Sequence, residues 1–68
     1  IKNSIISRNV KIEEGAVVKN SIIFTDSIVR RNKVISHAII DKKAEVAVAA
    51  ELAGTPEDIL YVRKGDRV

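Results

Sequence analysis

Few side chains in this sequence can do chemistry. His37 is the only histidine, there is no cysteine, and Gly15, Gly54 and Gly65 stand isolated from one another. A general base works when a hydrogen-bonded partner orients it, and no carboxylate flanks Ser36-His37-Ala38. One histidine without cysteine does not close a zinc site. Scattered glycines do not form a phosphate-cradling loop, which needs them at fixed short spacing. The expectation is therefore no catalytic, cofactor-binding or metal residue. The one unbalanced charge cluster is Arg30, Arg31 and Lys33. Guanidinium groups grip phosphate in a bidentate fork, so Arg30 and Arg31 form the candidate anion site, with a solvated turn as the competing reading.

The remaining charge is evenly mixed. Twelve basic and nine acidic residues leave a net +3, but Lys11 is followed by Glu13 and Glu14, and Lys42 and Lys43 by Glu45. Interspersed charge of this kind solvates a surface. Phe24 and Tyr61 are the only aromatic residues, too few to stack on single-stranded nucleic acid. No apolar run approaches the ~20 residues of a membrane span. Neither nucleic acid nor membrane is an expected partner, and the lack of cysteine leans toward the cytoplasm. Sixty-eight residues make one small domain, which hides only ~60% of the surface its unfolded chain exposes. The chain opens on Ile1 and contains no methionine, so a longer parent is expected.

Whatever chemistry exists must be positioned by a repeat. Residues 2–6 read Lys-Asn-Ser-Ile-Ile, residues 19–23 read the same 17 positions later, and residues 36–40 read Ser-His-Ala-Ile-Ile. A finer period lies inside. The aliphatic anchors Ile6, Ile12, Val18, Ile23, Val29, Ile35, Ile40, Val46 and Leu52 are separated by steps of six, six and five. Two residues before each stands Ser4, Val10, Ala16, Ser21, Ser27, Lys33, Ala38, Ala44 or Ala50, small or β-branched except for Lys33. In a strand, positions two apart share a face. A short strand and a bend every six residues describe one side of a triangular coil, and three sides make a 17-residue turn that stacks on its neighbours. Residues 44–52 are rich in alanine and glutamate and read as helix by propensity alone, but their anchors keep the coil register. Asn3, Asn20 and His37 share one equivalent position, and Asn9, Asp26 and Lys43 another. Asn and Asp tolerate left-handed backbone, so these are the expected bends.

The repeat breaks at Ala53-Gly54-Thr55-Pro56. Residues 1–53 are thus expected as coils, and residues 54–68 as a loop with a closing strand of the same domain that covers the last coil. The residue between each companion and its anchor faces outward. These are Ile5, Ile22 and Ile39 on one side, Lys11, Ile28 and Glu45 on the second, and Val17, Val34 and Glu51 on the third. An outward column of three isoleucines calls for a cover, worth ~1.5–3 kcal/mol for each side chain removed from water. The expected interface is Ile5, Ile22 and Ile39, with Val17, Val34 and Ile28 beside it.

The string Val17-Val18-Lys19-Asn20-Ser21-Ile22-Ile23, the later His37-Ala38-Ile39-Ile40-Asp41-Lys42, and the tail with Gly54, Pro56 and Val62-Arg63-Lys64-Gly65 carry a resemblance. They resemble the C-terminal region of bacterial glucose-1-phosphate adenylyltransferase, or ADP-glucose pyrophosphorylase, and most of all its non-catalytic paralogue in glycogen synthesis. The resemblance covers essentially the whole chain. It implies an all-β, left-handed parallel β-helix of about three 17-residue coils. It also implies an upstream nucleotidyltransferase domain that this chain lacks, homo- or hetero-oligomers formed through the β-helix, and no cofactor of its own. The arginine-rich helical segment that some catalytic members carry near their C-terminus is absent here. Similar stacked motifs occur in hexapeptide-repeat acyltransferases, and the alternative function is such an enzyme with His37 as base.

Overall fold

The computed structural model describes residues 1–68 and contains ten short strands and no helix. They are β1 (Ile5–Ile6), β2 (Lys11–Ile12), β3 (Val17–Lys19), β4 (Ile22–Ile23), β5 (Ile28–Val29), β6 (Val34–Ser36), β7 (Ala38–Ile40), β8 (Glu45–Val46), β9 (Glu51–Ala53) and β10 (Leu60–Val62). Every third strand stacks in parallel, giving sheets β1-β4-β7-β10, β2-β5-β8 and β3-β6-β9. The fold is the three-sided coil that the repeat predicts. Residues 44–52 stay in it, with β8 and β9 pairing Glu45 to Ile28 and Leu52 to Ile35.

Stacking at this spacing makes burial periodic. The anchors Val18, Ile23, Val29, Ile35, Ile40 and Val46 are all 0% exposed. Ser21, Ser27, Ala38 and Ala44, their companions, fill the narrow space beside them and are buried too. Serine suits this column because its hydroxyl bonds along the stack. The Ser21 Oγ donates to the Lys19 carbonyl at 2.7 Å and accepts the Ala38 N–H at 3.2 Å. The Ser27 Oγ donates to the Asp41 carbonyl at 2.6 Å. No buried side-chain polar atom lacks a partner, as a dry interior requires. Lys33, the misfit, is half-buried, and its carbonyl still accepts the Val17 N–H at 2.8 Å.

The corners are left-handed. Asn3, Asn20 and His37 have φ of 49°, 49° and 50°, and Asn9, Asp26 and Lys43 have 60°, 63° and 58°. Both expected bend columns take the backbone that Asn and Asp tolerate, and His37 and Lys43 are carried into it by the stack. A third column, Gly15 at 82° and Asn32 at 59°, turns the remaining corner. Its two members stand 17 residues apart, so the repeat could have revealed it.

The C-terminal segment continues the coil. β10 adds a fourth rung to the first sheet, with Tyr61 opposite Ile39 and Val62 opposite Ile40, and Arg67 bridges Glu45 in the second. The offset is now 22 instead of 17, because five residues, 55–59, are inserted after Gly54. Thr55 and Asp58 close this insertion on itself, exchanging N–H to carbonyl bonds of 3.0 and 3.1 Å.

Candidate functional site

The three outward sides of the coil differ in chemistry. On the first sheet, strand register places Ile5 on Ile22, Ile22 on Ile39, and Ile39 on Tyr61. Ile5 is 63% exposed and Tyr61 54%, and the two residues between them are half-buried. The aliphatic column is therefore real and ends on an aromatic residue that the 17-residue period alone did not place there. On the third sheet Val17 stacks on Val34, and Glu51 ends the column. On the second, Ile28 lies between Lys11 and Glu45. The six expected interface residues thus occupy three faces, with Ile5, Ile22 and Ile39 together, Val17 and Val34 together, and Ile28 alone among charges.

The second sheet carries an ion-pair ladder across all four rungs. The Arg30 guanidinium donates to Glu45 Oε2 at 2.7 Å and to Glu13 Oε2 at 3.1 Å, and Arg67 stands 3.6 Å from Glu45 Oε1. Partial desolvation pushes the Glu13 carboxyl up, but the Arg30 guanidinium and the Arg31 N–H outweigh it and hold Glu13 below the usual carboxylate range. Hydrogen bonds to Glu45 and Glu13 raise Arg30 above its ordinary value. Arg30 is therefore committed to carboxylates, while Arg31 is exposed and contributes only its N–H, at 3.0 Å from Glu13 Oε1. Glu13 lies 17 residues before Arg30, so the repeat already placed it one rung below; the diagonal reach to Glu45 was not legible.

His37 sits half-buried on the corner between the third and first sheets. Its Nδ1 is 3.0 Å from Ser36 Oγ, its carbonyl accepts the Leu60 N–H at 3.1 Å, and none of its hydrogen bonds goes to a carboxylate. No cavity opens on the surface, and no three metal-ligating side chains gather. None of the structure's elements is a helix long and apolar enough to cross a membrane.

One polar contact borders the aliphatic column. The Tyr61 hydroxyl donates to Asp41 Oδ2, and the Lys42 N–H donates to Asp41 Oδ1 at 2.7 Å. The Tyr61 bond holds the Asp41 carboxyl below its ordinary range, and the same bond, with some desolvation, raises the Tyr61 phenol above its ordinary 10.0. The signs follow from linkage. Asp41, depressed on folding, contributes stability above its unfolded value and loses it as pH falls through the folded one; Tyr61, raised on folding, contributes below its unfolded value and loses it as pH climbs through the folded one. Tyr61 is the only tyrosine, so phenolate absorbance reads it alone. Its midpoint is expected above 10.0 and should return toward that value in Asp41→Asn. An unchanged midpoint in the variant would show that the bond does not form.

Residues 1–58 match the family described as GlmU-like, C-terminal hexapeptide. A glucose-1-phosphate adenylyltransferase of Corynebacterium jeikeium (strain K411) is 43% identical over 69 aligned residues, which cover 96% of this chain and 17% of that protein. One from Corynebacterium diphtheriae is 37% identical over 46 residues, covering 68% of this chain and 11% of that protein. Glucose-1-phosphate adenylyltransferase 2 of Vibrio cholerae is 36% identical over 56 residues, covering 82% and 14%. The chain thus spans less than a fifth of the length of these relatives. No solved structure gives a significant match.

Proposed function

The chain belongs to the GlmU-like C-terminal hexapeptide family, and from that membership we propose that it is the C-terminal assembly domain of a glucose-1-phosphate adenylyltransferase-type protein serving ADP-glucose and glycogen synthesis. The fold is a left-handed parallel β-helix of hexapeptide type. In this reading it catalyses nothing itself, and nucleotide chemistry belongs to an α/β domain elsewhere in the parent. Residues 1–53 supply the stacked coils, and residues 54–68 finish the same unit.

The observation that carries the reading is the outward column Ile5, Ile22, Ile39 and Tyr61. Outward strand positions need no isoleucine, and three stacked at ~4.8 Å make a continuous apolar strip. Covering it with another subunit or with the parent's own catalytic-type domain removes it from water. The second sheet, laced with paired charge, faces solvent in this arrangement.

Ile22→Glu in the full-length parent tests the proposal. Ile22 faces outward, so the substitution leaves the interior unchanged and the circular dichroism spectrum should be preserved. Burying a carboxylate against a partner removes the ~1.5–3 kcal/mol of an isoleucine and adds desolvation. Assembly is expected to weaken by about 100-fold or more, read by light scattering across a dilution series. A variant that stays assembled at every dilution, with the fold intact, would end this reading.

A further inference from the structure

The fourth rung is attached in an unusual way. Its connector, residues 54–59, projects from the corner and is closed by the Thr55 and Asp58 turn, and residues 55–59 are all exposed. Beyond it, the rung takes its bonds almost entirely from the coil beneath. Leu60 N–H donates to the His37 carbonyl at 3.1 Å, the Val62 carbonyl accepts from Asp41 at 2.9 Å, Gly65 N–H donates to Lys42 at 3.1 Å, and the Asp66 carbonyl accepts from Glu45 at 2.8 Å. Val68 N–H returns to Glu45 at 2.9 Å. The side chains add Tyr61 on Asp41 and Arg67 on Glu45.

Only Val62 of this segment is buried, at 4% exposure. A segment with so little apolar surface inside opens more readily than the core beneath it. Opening uncovers the edges of β7 and β8, with Ile40 and Val46 behind them. Such an edge templates another strand. The segment that satisfies it best is a second copy of residues 60–68, since that one carries Val62 for Ile40, the Tyr61 hydroxyl for Asp41 and the Arg67 guanidinium for Glu45. None of these contacts depends on which copy supplies the rung.

We propose that residues 60–68 exchange between two copies of this chain, each copy's fourth rung docking on the other's β7 and β8 across an opened connector. The exchanged pair keeps every contact of the rung and gives up the closed turn between Thr55 and Asp58. Against it stands the effective concentration of the tethered segment, on the order of millimolar for a short flexible connector. Exchange therefore becomes appreciable as chain concentration approaches that range, or wherever an oligomer holds copies side by side.

The insertion is what makes exchange possible. Gly54 falls 17 positions after His37, at the corner position of the repeat. Deleting residues 55–59 rejoins that corner directly to Leu60 and restores the regular spacing, leaving no connector to extend.

The test mixes two chains, one carrying Ile40→Cys and the other Val62→Cys, under oxidised glutathione. These positions are register partners facing the interior, the chain has no other cysteine, and a chain carrying both substitutions serves as the control that closes the bond within itself. A mixed disulfide that grows with concentration toward millimolar, and is lost when residues 55–59 are deleted from both chains, is the expected result. Absence of the mixed disulfide at millimolar chain, or its equal yield in the deletion pair, would overturn the proposal.

Discussion

Ile35→Ala is expected to remove a large fraction of the stability of this domain. Ile35 is 0% exposed, in the middle rung of the third sheet, with Val18 below and Leu52 above. Truncating a buried isoleucine to alanine costs about 2–5 kcal/mol, the larger values where surroundings cannot collapse into the space. Collapse is restricted here because the neighbouring rungs are held by backbone ladders on both sides. A chain of this size is stable by roughly 3–10 kcal/mol, so the loss is a large fraction of the whole. Urea unfolding should show the midpoint falling steeply in Ile35→Ala, and much less in Ile6→Ala, since Ile6 is only half-buried in the first rung. Similar small losses at both positions would mean that the interior is looser than its burial indicates.

Gly54→Ala is expected to strike the fourth rung selectively. A Cβ at Gly54 would meet the His37 carbonyl oxygen well inside contact distance, with Leu60 N at 2.7 Å and Asp58 O at 3.0 Å. All three are backbone atoms, so no side chain can swing aside. Relief requires Gly54 to move off the His37 carbonyl and residues 58–60 to move off Gly54, and the Leu60 to His37 bond goes with that shift. Loss of that bond and part of the β10 ladder is expected to cost about 2 kcal/mol or more. Hydrogen exchange gives the readout. The Asp41 and Glu45 amides, which donate into the fourth rung, should exchange about 30-fold faster or more. Amides deeper in the stack, such as Ile28 of the second rung bonding to Ala44, should change little by comparison. Uniform loss of protection across all rungs would show that the fourth coil is not a separable unit.

These two substitutions mark where the sequence was legible and where it was not. Stacked parallel coils give equivalent positions the same surroundings, so burial at Val18 is repeated at Ile35, and a left-handed corner at Asn3 is repeated at Asn20 and His37. Physics of that kind writes itself into spacing. The outward column of Ile5, Ile22 and Ile39 was readable for the same reason. Tyr61 at its end was not, because the five inserted residues hid its register, and Val62 had no 17-residue counterpart to mark it as part of the interior. Side-chain pairing was only partly readable. A bond between rungs directly above one another, Glu13 with Arg30, follows from the period, whereas the diagonal to Glu45 and the Tyr61 to Asp41 bond depend on rotamers. Whether the candidate anion residues act together was beyond spacing altogether, since Arg30 and Arg31 are sequence neighbours whose side chains end in different surroundings.

Each rung rests only on the one below and the one above it, an arrangement in which stability is a sum over neighbours. Tension applied to one end of such a spring is borne by the outermost winding alone, so the domain yields loop by loop instead of rupturing at once. A regular winding lets out 17 residues and the last one 22, or roughly 60–80 Å of slack at full extension. A subunit tethered through this end would be held by a graded shock absorber.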